Sequence, residues 1–174
     1  MTNKLNRTVL LVDDEADVRT FLSVALLEAG FDVEIASDGN EALNQIKKHR
    51  PDLISLDLVM PGKSGVMFHR ELMKNKDWAK IPVLIVTGHA RDDIGRADLK
   101  ELTMSGRGIY LEKPVKPDNY IAAIKKILGL DISDRERETA EMVEIQNELK
   151  NLIDRADPET LKRIGRILHD HKTE

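Results

Sequence analysis

Val9-Leu10-Leu11-Val12-Asp13-Asp14-Glu15 runs four apolar residues directly into three acids. A run that short, rich in Val and Leu and closed by acids, has the length of a buried strand. With Thr8 it is the first of five such runs; the others are residues 32–36, 52–56, 82–86 and 108–111. Helix-length amphipathic segments lie between them. Val18, Phe21, Leu22, Ala25 and Leu26 form one stripe, closed by Gly30 in a capping position. Ala42, Leu43 and Ile46 open a second after the turn at 37–39, and Val66, Phe68, Leu72 and Met73 mark a third. A fourth pattern falls within 91–104, part of a polar and glycine-rich stretch that runs on to Gly108. The fifth starts at Pro117, a favoured first-turn residue, and carries Ile121, Ile124 and Leu128 before Gly129.

Five strand–helix units predict an α/β fold: a doubly wound five-stranded parallel sheet with helices on both faces. Right-handed crossovers leave few topologies, of which a flavodoxin-like order, 2-1-3-4-5, is the one expected. Beyond Gly129 the strand signals stop. Ser133 and Glu136 make a capping box, and Met142, Ile145, Leu149 and Leu152 recur at 3-4-3 spacing. Asp157-Pro158 then starts another helix carrying Leu161, Ile164 and Leu168. The expected division is therefore a domain over 1–130 and an acidic, amphipathic helical extension over 131–174, folded as a hairpin or one kinked helix with a single apolar seam. That seam is expected to pack within the chain, on the first domain, or against another subunit.

Ligands of parallel sheets bind beyond the carboxyl ends of the strands. There the first strand delivers Asp13, Asp14 and Glu15, the third Asp57, the fourth Thr87 and the fifth Lys113. Asp14 or Thr87 alone reads as a helix cap or strand end, and Lys113 alone as a surface lysine. Asp57 is followed by the loop Leu58-Val59-Met60-Pro61-Gly62 and has no helix to cap. Clustered carboxylates raise one another's pKa unless a cation joins them, and an all-oxygen set suits Mg²⁺. Acids, a metal, a lysine and a hydroxyl together provide what phosphoryl transfer to a carboxylate needs, with Asp57 as nucleophile.

These pieces carry a family resemblance: V-L-L-V-D-D-E at 9–15, L-I-S-L-D-L-V-M-P-G-K-S-G at 53–65, V-L-I-V-T-G-H at 83–89 and Y-L-E-K-P at 110–114. Over roughly residues 6–129 the chain resembles the receiver domain of two-component response regulators. The resemblance implies that Asp57 accepts the phosphoryl group. It implies that Asp14, Asp57 and the Val59 carbonyl bind Mg²⁺ directly, with Asp13 assisting through water. Thr87, Lys113 and Tyr110 become switch residues, and a cis Lys113–Pro114 bond is expected. Val59 and His89, each two residues past a site residue, would face the phosphoryl group. The implied donor is a sensor histidine kinase or phosphotransfer protein.

Composition sets the remaining expectations. With no cysteine among 174 residues there is neither a disulfide nor a thiolate zinc site. No apolar run approaches a membrane span, so a cytoplasmic protein is expected. Residues 131–174 hold four more acids than bases, the whole net charge of −4. That excludes the basic surplus of a nucleic-acid surface, and an acidic segment of 44 residues makes a poor DNA-binding output domain. The expected output is instead a homodimer or a partner protein engaged through 131–174. Two other classes were weighed. An aspartyl-phosphate phosphatase would need a general acid where Val59 stands, so no enzyme is expected. A phosphate-independent pseudo-receiver would lack an acid or the lysine, and all are present.

Overall fold

Apolar strands capped by acids need cover on both faces, and the computed structural model, which describes residues 4–61, 64–88 and 110–170, provides it. In chain order it contains β1 (Thr8–Val12), α1 (Ala16–Glu28), β2 (Asp32–Ala36), α2 (Gly39–Lys48), β3 (Leu53–Leu56), α3 (Gly65–Lys74), β4 (Val83–Thr87), β5 (Tyr110–Glu112), α4 (Pro117–Ile127), α5 (Asp134–Arg155) and α6 (Pro158–Asp170). The five strands form one parallel sheet in the order β2-β1-β3-β4-β5, as expected. The chain leaves β1 toward one edge and returns at β3 toward the other, so a crevice opens where β1 and β3 end.

Strand alternation divides the core in two. Leu10 and Val12 face Ala42, Leu43 and Ile46 of α2 and Phe68 and Leu72 of α3. Val9 and Leu11 face Leu22 and Leu26 of α1 and Tyr120, Ala123 and Ile124 of α4. Each large apolar side chain among these contributes about 1.5–3 kcal/mol on burial.

Small differences from expectation have local causes. β4 begins at Val83 because Pro82 has no N–H for the ladder and supplies only its carbonyl, to the Ile54 N–H at 3.0 Å. β3 begins at Leu53 because the Asp52 carboxylate is held by the Thr8 N–H and Arg7, both at 2.8 Å. Phe21 is 51% exposed: Leu22 and Leu26 are the buried residues of α1, and Phe21 lies off their line. Helices α1 and α4 both end in Schellman turns, with Gly30 at φ 91° and Gly129 at φ 63°. The expected helix within 91–104 lies outside the described residues. Among the described residues no helix is long and apolar enough to cross a membrane.

The extension departs most from its pattern. α5 lies along α4, but not by the stripe Met142, Ile145, Leu149 and Leu152, which is exposed. Its docking face carries buried Ala140 and Val143, with Glu136 on Lys125 at 2.6 Å and Glu144 on Lys126 at 2.7 Å. Farther on, Asn147 donates to the Tyr110 carbonyl at 2.8 Å, and Lys150 pairs with Glu112 while its ammonium sits 5.6 Å from the Tyr110 ring centroid. Paired lysines on α4 and the Tyr110 carbonyl on β5 select the polar face of α5. Ala156 and Asp157 then separate α5 from α6, where Asp157 caps the N–H groups of Glu159 and Thr160.

Glu136 both closes the capping box with Ser133 and pairs with Lys125, and these contacts bring its pKa down to about 2. A carboxyl depressed on folding stabilises the fold above its unfolded pKa, about 4.3, and that contribution fades as pH falls toward 2. Glu136→Gln should therefore flatten the loss of stability between about pH 5 and pH 2, measured as urea midpoints across that range.

Candidate phosphoryl-transfer site

Each site residue is placed by a strand end. The Asp13 N–H continues the sheet onto the Ala36 carbonyl at 3.2 Å, and the Asp57 N–H onto the Val12 carbonyl at 2.9 Å. One carboxylate oxygen each from Asp13, Asp14 and Asp57 lies within 4.8 Å of the others. Asp13 and Asp57 are buried and Asp14 is half-buried. Lys113 follows β5 and is anchored by its N–H to the Thr87 carbonyl at 3.1 Å. Its ammonium reaches Asp13 Oδ2 at 2.8 Å, Asp57 Oδ2 at 2.8 Å and Glu15 Oε1 at 2.9 Å. The Lys113–Pro114 bond is cis.

The electrostatics follow from this contact list. Burial alone would favour a neutral Lys113 amine, but its hydrogen bonds to Asp13, Asp57 and Glu15 outweigh that and hold its pKa well above the lysine range. Burial pushes Asp13 up, against the lowering effect of Lys113 and of the Glu15 N–H, which donates to Asp13 Oδ1 at 2.9 Å. Lys113 lowers Glu15. Asp57 also accepts the Val59 N–H on Oδ1 at 3.1 Å, so its two oxygens have separate donors.

Thr87 is fully buried, and its hydroxyl has no hydrogen-bond partner among the described residues. An unmatched buried hydroxyl costs about 1–3 kcal/mol, a cost accepted where a ligand supplies the partner. Val59 is 38% exposed at the cleft. Tyr110 is half-buried on β5, beneath the contacts from α5. His89 lies outside the described residues. The sequence placed Glu15 at the rim without a role for it, and did not mark Arg19. Glu15 takes a share of Lys113, and Arg19 donates to the Asp13 carbonyl at 2.7 Å. Glu15 was visible only as the third acid of the 13–15 run, and Arg19, one helical turn on, gave no signal.

Asp14, Glu15, Asp57 and Lys113 line a cleft of about 790 Å³ together with the apolar Val18, Phe21 and Val115. Residues 9–125 match the response regulator receiver domain. The chain belongs to that family. Phosphate regulon transcriptional regulatory protein PhoB of Pseudomonas aeruginosa is 33% identical to this receiver over 71% of the chain, but over only 52% of PhoB. The chain thus spans about half the length of the curated relatives it matches. Chemotaxis protein CheY4 of Vibrio cholerae superposes with a TM-score of 0.62 at 30% identity, covering 70% of this chain and 98% of that one. The receiver domain of a sensor histidine kinase from Pseudomonas aeruginosa PAO1, solved with a magnesium ion in its active-site cleft, shares the fold at TM-score 0.63 and 24% identity, covering 71% and 98%.

Gly65 lets α3 begin directly against the site of this receiver. A Cβ there would lie 2.0 Å from the Asp57 carbonyl oxygen and 2.7 Å from the Leu58 Cα, both backbone atoms that cannot move aside cheaply. The Gly65 N–H donates to the Leu58 carbonyl at 3.1 Å, which sets that closeness. Gly65→Ala should cost about 1–3 kcal/mol in urea denaturation, by forcing α3 and the Asp57 strand end apart.

Proposed function

We propose that this receiver takes a phosphoryl group onto Asp57 from a phosphohistidine of a histidine kinase or phosphotransfer protein, and signals through the surface that moves in response. The observation that carries this reading is the clustering of Asp13, Asp14 and Asp57 at the sheet's switch point, with the Lys113 ammonium on both Asp13 and Asp57. An Asp57 oxygen attacks phosphorus, the P–N bond breaks, and the imidazole leaves with its electron pair. The Val59 N–H and Lys113 already hold the two Asp57 oxygens, so the nucleophile is oriented before the donor arrives. After transfer, Lys113 is placed to pair with a phosphoryl oxygen, and the unmatched Thr87 hydroxyl to donate to another.

The donor set suits Mg²⁺: oxygen only, carboxylates close together, and an open cleft beside them. Asp14, Asp57 and the Val59 carbonyl would hold it, with Asp13 assisting through water. When bound, the ion supplies positive charge that offsets the acids and the incoming phosphoryl group. The apolar wall of Val18, Phe21 and Val115 offers a phosphohistidine-bearing helix a surface beside the acids.

Thr87 and Tyr110 act as the switch: recruiting Thr87 to the phosphoryl group lets Tyr110 repack on β5, and a few kcal/mol of bias between two packings suffices. No general acid stands at Val59, so the domain is a signalling module rather than a phosphatase. A cytoplasmic location and the absence of a nucleic-acid partner belong to the same reading.

Intact-mass spectrometry after incubation with Mg²⁺ and acetyl phosphate or a phosphorylated histidine donor tests it. One phosphoryl group should appear on the wild type and none on Asp57→Asn, and chelation with EDTA should abolish labelling. Labelling that persists in Asp57→Asn would place the acceptor elsewhere. Mg²⁺ at 100 times its Kd should also stabilise the wild type by about 2.7 kcal/mol. That gain should vanish in Asp14→Asn/Asp57→Asn, read by urea midpoints with and without the ion.

A further inference from the structure

α5 has two opposite faces, and among the described residues only one is docked on the receiver. Glu136, Ala140, Val143, Asn147 and Lys150 turn toward α4 and β5. About half a turn away stand Met142, Ile145, Leu149 and Leu152, respectively 55%, 50%, 53% and 64% exposed with α6 in place. Their 3-4-3 spacing is that of a coiled-coil a/d seam, with Met142 and Leu149 at a and Ile145 and Leu152 at d. By the same register, the face on α4 and β5 comprises positions b, c and f, the outside of a coiled coil. We propose that the seam pairs in parallel with the seam of a second copy of this chain.

Three features favour a second copy as the occupant. Two seams can meet without the receivers meeting, because each receiver is attached to the far side of its own α5. The flanking residues fit parallel self-pairing: Glu141 and Glu148 at g fall opposite Gln146 and Ile153 at e of the other copy, so no like charges face each other. An antiparallel arrangement would instead bring the two copies of Glu148 together, which is unfavourable. Finally, the helix is already formed. Its capping box and its contacts with α4 hold it straight, so pairing spends little on ordering a short helix that would be marginal alone.

Sedimentation equilibrium of the full chain is the test, with Ile145→Lys/Leu149→Lys as the variant. The wild type should sediment at the mass of two copies. The variant should sediment at one, with unchanged far-UV circular dichroism and unchanged Asp57 phosphorylation, because both positions are half-exposed and remote from the acids. The chain has no cysteine, so single substitutions report direction. Ile145→Cys and Leu152→Cys should each cross-link to themselves on oxidation, and Asn44→Cys on exposed α2 should not. A one-copy mass for the wild type overturns the proposal and leaves the seam to a different protein. A two-copy mass that survives the double lysine variant, or seam cysteines that fail to cross-link, overturns it too. The phosphorylation reading stands or falls separately, on whether Asp57 is labelled.

Discussion

A single ammonium holds the acid end of this sheet together. Lys113 reaches Asp13 from β1, Asp57 from β3 and Glu15 at the start of α1, and does so from the loop after β5. Without it, buried carboxylates from two neighbouring strands would face one another across a low-dielectric gap, an arrangement costing several kcal/mol per uncompensated charge. The parallel order supplies the geometry that makes this possible. β1 and β3 are adjacent and end level, while the cis bond after Lys113 belongs to the turn from β5 into α4. The core on both faces serves as a rigid mount for that one contact.

Such a site is held under tension between stability and use. On the proposed function, the lysine that pairs with the acids also meets the incoming group, so part of that pairing would be surrendered when the site works. Thr87 carries the complementary deficit, a buried hydroxyl with nothing among the described residues to bond. A cation or a phosphoryl group entering the cleft would offset both at once.

Much of this was legible in the residues. Strand ends are conspicuous when four apolar residues stop at acids, and the sheet order followed from the repeated unit. The candidate site was legible because its members lie at strand termini, whose convergence the topology guarantees. Other features were hidden for identifiable reasons. Gly65 read as one glycine of a loop, because a close approach between backbones leaves no mark on composition. The docking face of α5 was missed because Ala140 and Val143 are small and sit among charged residues. The bolder stripe at 142–152 drew the reading to the opposite side. Polar pairing with Lys125, Lys126 and Tyr110 chose the face, and such pairings depend on which elements meet in space.

The contact between Asn147 and the Tyr110 carbonyl has a consequence for the sheet as a whole. β5 is an edge strand of three residues, and an edge presents unpaired backbone groups to which a stray strand can add. Asn147 occupies one of those acceptors, and Lys150 lies over the adjoining ring and carboxylate. α5 thus acts as a selvedge on the open side of the fold: the helix that turns an apolar seam outward also closes the border along which the sheet could otherwise aggregate.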